Sequence, residues 1–151
     1  MNEKELTELI KSEGDEKNWT YTCKNGLKLD CSIHRSSILI LCGYVHLSQD
    51  SSLWGIDYED LYKYDIDVHG GLTYSGHLLD RQHWTLGFDC GHYRDLVPYY
   101  MINTELYKKI ENGSEYRDMI YVIKETELLA EQLSKYSLSE LRIKKIDNLI
   151  N

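Results

Sequence analysis

The chain is poor in proline and phenylalanine, with one of each in 151 residues, and its four cysteines form no Cys-x-x-Cys pair. A single proline, Pro98, leaves no material for a proline-rich linker, so residues 1–151 are expected to form a single domain. That length is enough to bury a sizeable core. Cys23, Cys31, Cys42 and Cys90 are expected as free, reduced thiols, because the polar, charged first residues carry no secretion signal. No apolar run approaches the roughly 20 residues of a membrane span. The expectation is therefore a cytoplasmic protein with no membrane partner.

Positive charge is scarce too. Lys and Arg number 17 against 25 Asp and Glu, giving a formal net charge of −8 and a pI near 5.2. Without a basic stripe, such a surface repels nucleic acid, which excludes direct nucleic-acid binding. The chain is instead rich in tyrosine, with thirteen. Tyrosine suits surfaces that bind something, since its ring packs while its hydroxyl bonds.

The pattern predicts a helix over residues 2–12, with Asn2 as cap, Glu5 at the capping-box position and Gly14 as stop. The period then becomes two. Trp19–Cys23 and Leu27–Ile33 flank Lys24-Asn25-Gly26, a hairpin signal. After a turn at Ser36-Ser37, residues 38–47 read as a central strand, completing a three-stranded meander. Residues 48–64 read as an acidic, aromatic loop with one helical turn. Asp65–Val68 is expected as a strand end, Leu72–Ser75 as extended chain and Trp84–Asp89 as a further strand.

Beyond Pro98, a short helix is expected over 103–111 and a longer one capped by Ser114. The longer helix would bury Tyr116, Met119, Ile120, Ile123, Ala130 and Leu133, with Arg117, Lys124, Glu127 and Glu131 outside. Ser137-x-x-Glu140 is a second capping box, opening a terminal helix with a stripe of Leu138, Leu141, Ile146, Leu149 and Ile150. The fold class expected is α+β: a mainly antiparallel sheet of about five strands with C-terminal helices packed on one face.

Chemistry concentrates between Asp65 and Asp95, which holds four of the six histidines and half of the ten glycines. Two pieces stand out, Asp67-Val68-His69-Gly70-Gly71 and Gly87-Phe88-Asp89-Cys90-Gly91-His92-Tyr93-Arg94-Asp95. Together with Leu72-Thr73-Tyr74, Trp84, Tyr116-Arg117 and Leu129-Ala130-Glu131-Gln132-Leu133, they resemble a family of small bacteriophage and prophage proteins. The resemblance spans roughly Tyr44 to Leu133. It implies a setting, a small protein made in a host cytoplasm to act on the host or its defences, and no activity.

Several chemistries fit the residues. The leading expectation is a site for a small anionic ligand, a nucleotide foremost. His69, Gly70 and Gly71 would form one wall and Asp89, His92, Arg94 and Asp95 the other. Backbone N–H groups beside the glycines would cradle the anion, and Tyr74 and Trp84 would stack on a base. His69, Asp89, His92 and Asp95 also form a set able to hold a divalent metal as cofactor for hydrolysis of a phosphate-containing substrate. Cys90 with His92 or His69 offers a thiolate–imidazole pair. A third class uses Asp57, Glu59, Asp60, Asp65 and Asp67, interleaved with Tyr58, Tyr62 and Tyr64, to dock on a basic host protein such as a nuclease. The helices after Ser114 would be scaffold or a homo-oligomer surface.

Overall fold

A computed structural model describes residues 1–105 and 113–150. Helix α1 spans Glu3–Glu13. The Asn2 side chain accepts from Glu5 N–H at 2.8 Å and donates to the Glu5 carboxylate at 2.9 Å, and Gly14 ends the helix at φ +79°. Leu6 is its buried anchor. The C-terminal end is fixed by Glu13, whose buried carboxylate accepts from Arg35, Tyr116 hydroxyl and Met119 N–H.

Strands β1 (Glu16–Thr22), β2 (Lys28–Arg35) and β3 (Leu41–Leu47) form the expected meander. Gly26 at φ +89° makes the first turn, closed by Cys23 N–H to Leu27 O at 2.8 Å. β4 (Tyr74–Gly76) and β5 (Trp84–Asp89) complete an antiparallel sheet of order β1-β2-β3-β5-β4. Helix α2 is Pro98–Asn103, α3 is Met119–Ser134 and α4 is Leu138–Ile150. The fold is α+β. Among the described residues no helix is long and apolar enough to cross a membrane.

Strand parity separates two faces. Ile33, Leu41, Val45, Leu86 and Phe88 lie on the face that α3 covers through Val122, Leu129 and Leu133. Burying each such side chain contributes about 1.5–3 kcal/mol. Gly43 lets the helix approach, since a Cβ there would stand 2.4 Å from Thr126 Oγ1. The opposite face is polar and exposed on its β1 side, at Asn18, Thr20, Lys28 and Asp30. At its centre His46 is buried between Ser32 Oγ (2.9 Å from Nε2) and Thr85 Oγ1 (2.7 Å from Nδ1), which ties three strands together.

Four expectations need correction. Asp65–Val68 is not a strand: Asp65 adopts φ +52°, and Asp67 bonds through both backbone groups to the Gln132 side chain. The long helix starts at Met119 under the cap of Asp118, because Glu115 pairs in extended form with Asp95. Its buried stripe runs through Met119, Val122, Thr126, Leu129, Ala130 and Leu133, leaving Ile120 exposed. Glu127 and Glu131 do not face outward but accept hydrogen bonds from Trp19 Nε1 and Tyr21 hydroxyl of β1. Most of the helix expected over 103–111 lies outside the described residues.

Half of the second capping box forms: Glu140 N–H donates to Ser137 Oγ at 3.1 Å, while Ser137 N–H donates to Ser134 O. The helix it opens buries none of its residues.

Candidate functional site

Sequence separation hides the centre of the site. His69 comes from the tight turn between η1, the 3-10 helix Tyr58–Tyr64, and β4. Gly70 and Gly71, both at positive φ, turn the chain there, and Gly71 N–H closes on Val68 O at 2.8 Å. Helix α3 holds this turn from below. Glu125 accepts from His69 N–H at 2.9 Å, and Tyr121 hydroxyl lies 2.7 Å from His69 Nδ1.

Asp95 meets the other ring nitrogen, 2.7 Å from His69 Nε2. Its carboxylate has no solvent exposure and also accepts from Arg117 Nε at 2.9 Å and His92 N–H at 3.0 Å. Burial opposes its charge, but the bonds from His69, Arg117 and His92 outweigh burial and hold its pKa below the usual range. Asp95 in turn pushes the Arg117 guanidinium further up. An ionised Asp95 accepts from His69 Nε2–H. Tyr121, its pKa raised first by burial, stays a phenol and donates to Nδ1. Tyr121, His69, Asp95 and Arg117 thus form one closed chain of bonds, with Arg117 stacked over the Tyr121 ring at 5.1 Å.

His92 sits at the outer side of this chain, its ring 6.0 Å from that of His69. A Cβ on Gly70 would fall 2.2 Å from His92 Cδ2, so the glycine makes room for the imidazole. Asp89 Oδ1 approaches His92 Nε2 at 3.2 Å but off the hydrogen-bond direction, and the buried Nε2 finds no hydrogen-bond partner among the described residues. Asp89 is occupied elsewhere: it accepts from Thr73 Oγ1 at 2.9 Å and from Gly91 N–H at 2.9 Å.

Compared with known proteins, the chain matches no family model, no curated protein and no solved structure.

The expected site residues can now be placed. His69, Asp89, His92 and Asp95 do come together. They do so as two His–Asp pairs rather than around a point, and among the described residues no three His, Cys, Asp or Glu side chains could hold a metal ion. Among the described residues the four therefore do not form the group of three ligands that the metal-hydrolase expectation uses. The two walls expected to flank a ligand are in contact through Gly70 and His92. The backbone cradle is largely spent as well, since Gly71 and Gly91 donate to Val68 and Asp89.

Tyr74 lies on the polar face, edge-on to Tyr44 at 5.6 Å and next in sequence to Thr73. Trp84 does not join the site: it begins the strand that Asp89 ends, and parity turns it to the opposite face, against Trp54 and His77. Arg94 is exposed at φ +71°, its guanidinium 6.0 Å from the Tyr93 ring centre. Cys90 is buried, and burial pushes its thiol up, which argues against a thiolate nucleophile.

The residues missed were Arg117, Tyr121 and Glu125. Tyr121 and Glu125, four apart, lie on one side of α3 adjoining the apolar stripe, and that pair was the available signal, whereas Arg117 precedes the helix.

Proposed function

We propose that the protein is a binding module for a small anionic ligand, a nucleotide foremost, recognised by side chains at His92 and Arg94. The observation that carries this reading is the His92 ring, which is one-third exposed and seated on Gly70, its buried Nε2 lying 3.2 Å from Asp89 Oδ1 without a hydrogen-bond partner among the described residues. A buried polar atom without a partner is held at a cost, and such atoms concentrate where function requires them. Arg94 adds an exposed cation two residues away. The charge of Asp95 is compensated by Arg117, 2.9 Å from its Oδ1. Tyr74 and Tyr44 offer ring faces beside Asp89. The phage-protein resemblance supplies the proposed setting, capture of a small signal used by a host defence.

A thermal-shift panel of mono-, di- and cyclic nucleotides with inorganic pyrophosphate tests the proposal. Ligands at 100 times their Kd stabilise by about 2.7 kcal/mol, and His92→Ala and Arg94→Ala should each abolish the gain. Absence of any shift across the panel overturns it.

The acidic segment supports a second reading, docking on a basic protein surface. This segment is pinned: Asp57 caps the 3-10 helix, Tyr58 N–H donates to Ser75 Oγ, Leu61 is buried and Asp67 pairs with Gln132. Asp57, Glu59, Asp60, Asp65 and Asp67 are thereby presented on a fixed frame with Tyr62 exposed among them. Preorganised charge favours association. Salt-sensitive co-purification of a basic protein, lost in Glu59→Lys/Asp60→Lys, is the expected result; indifference to that reversal removes the reading.

A further inference from the structure

Helix α4 is the least explained element of the molecule. All of residues 141–150 are exposed, including Ile143 at 55%, Ile146 at 54%, Leu149 at 80% and Ile150 at 76%. It joins the body at its first residues, where Leu138 N–H donates to Asp50 O and Ser139 to the Asp50 carboxylate. An isolated helix of this length is marginal in water, and helical stability in proteins comes from packing an apolar side. A contiguous exposed apolar surface is also uncommon on a protein that stays alone. The helix is therefore built to be covered.

What covers it can be read from charge. Helical spacing puts Arg142 and Lys145 on its apolar side and Lys144, Glu140 and Asp147 away from it, so two α4 helices laid together would set Arg142 and Lys145 of one against those of the other. The acidic segment offers the opposite. Tyr58, Leu61, Tyr62, Ile66 and Leu72 line a depression of 370 Å³ that Glu59 and Asp65 also line, with Asp57, Asp60 and Asp67 exposed in the same segment. The apolar floor and acidic rim match the apolar side of α4 and the two cations it carries, Arg142 and Lys145.

We propose that α4 docks in this depression on a second copy of the chain, giving a dimer by reciprocal exchange. Position supports reciprocity. Tyr136, just before α4, packs edge-on against Tyr64 at 5.2 Å, so the helix leaves the body at the border of the acidic segment. Two copies facing each other about a two-fold axis can then each receive the other's helix, a closed arrangement. Two such contacts double the buried area toward the roughly 1,000 Å² that a specific interface needs. The inference names the partner for the acidic-docking reading and rests on it, independently of the anion site.

The test is light-scattering mass of the full chain over a dilution series, with two charge variants. Wild type should show a dimer that dissociates on dilution. Arg142→Glu/Lys145→Glu and Glu59→Lys/Asp60→Lys should each be monomeric with unchanged folded circular dichroism. Mixing the two should restore the dimer, because each altered helix then meets an altered depression and each native helix a native one. A wild-type mass that is monomeric at every concentration overturns the inference. So does a dimer that survives Glu59→Lys/Asp60→Lys, which would place α4 on α4. A monomer that nevertheless captures a foreign basic protein through Glu59 and Asp60 overturns self-association and leaves the docking reading standing.

Discussion

Gly70 packs against the His92 imidazole, one of the contacts, with His69 to Asp95, through which the two glycine-histidine pieces of the sequence meet. The position is doubly constrained, by φ +69° and by the ring that a Cβ would strike at 2.2 Å. Gly71, its neighbour, has φ +82° and open space around it. Gly70→Ala should therefore lower stability by about 2–4 kcal/mol, and Gly71→Ala by only about 1–2 kcal/mol from the left-handed backbone alone. Denaturant melts of the two variants check the difference. Equal losses would mean that His92 simply moves aside.

Breaking the buried chain at its middle should be severe. Asp95→Asn leaves Arg117 and the His69–Tyr121 pair without their anion, and removing one partner of a buried ion pair costs about 3–5 kcal/mol. Tyr121→Phe, which removes only one hydroxyl contact with His69, should cost about 1 kcal/mol. Chemical denaturation of both variants reads the ratio.

Two buried groups set the acid limb of stability in separate windows. Burial first, then neighbouring His83, push the His46 ring down to about 4 from its ordinary 6.5. The native state thus favours the neutral ring. Its contribution is complete above pH 6.5 and is lost as pH falls to about 4, a decline of about 3 kcal/mol. Asp95, held below its ordinary 3.8, contributes above that value, and its share is lost as pH falls through its lowered folded pKa. Stability measured from pH 7 to 3 should show the first decline, and His46→Gln should flatten it. A wild-type curve flat between pH 6.5 and 4 would contradict the assignment.

Leu39 turns the β2–β3 hairpin at φ +69°, a conformation ill suited to a branched side chain. The turn is held by Leu39 N–H to Ser36 O at 2.9 Å and by Arg35 donating to Leu39 O at 3.1 Å, both backbone acceptors or donors that glycine retains. Leu39→Gly should raise stability by up to about 1 kcal/mol. A melting temperature that falls would show that the partly buried side chain outweighs the backbone.

How much of this was legible beforehand depended on the range of the interaction concerned. Caps, turns and strand parity are local, so Asn2, Gly26, Ser137 and four of the strands could be read directly, while β4 was legible only as extended chain and Asp65–Val68 reads as a strand end that does not form. The α3 start could not, because Ser114 is a good cap and only the long-range pairing of Glu115 with Asp95 makes residues 114–117 extended. The site was half legible. Its histidines and aspartates announced themselves by composition, but the residues that hold them, Arg117 just before α3 and Tyr121 and Glu125 on it, looked like ordinary surface. Trp84 was misplaced for a reason the sequence did contain: it and Asp89 are five apart on one strand, and an odd separation puts them on opposite faces. The backbone cradle failed because glycine N–H groups read as free until their turns are known.

The sheet order places β5 between β3 and β4, although the whole stretch from Ser48 to His83 separates β3 from β5. The meander β1-β2-β3 forms from neighbours in sequence, whereas seating β5 requires closing a long loop, with its entropy paid before the pairing rewards it. Asp89, at the end of β5, and His92 just beyond it come into place only at that closure. A ligand held there would therefore act as a latch on the last strand to assemble. Occupancy of the site should slow hydrogen exchange most at Thr85 to Phe88, and leave the hairpin around Gly26 as it was.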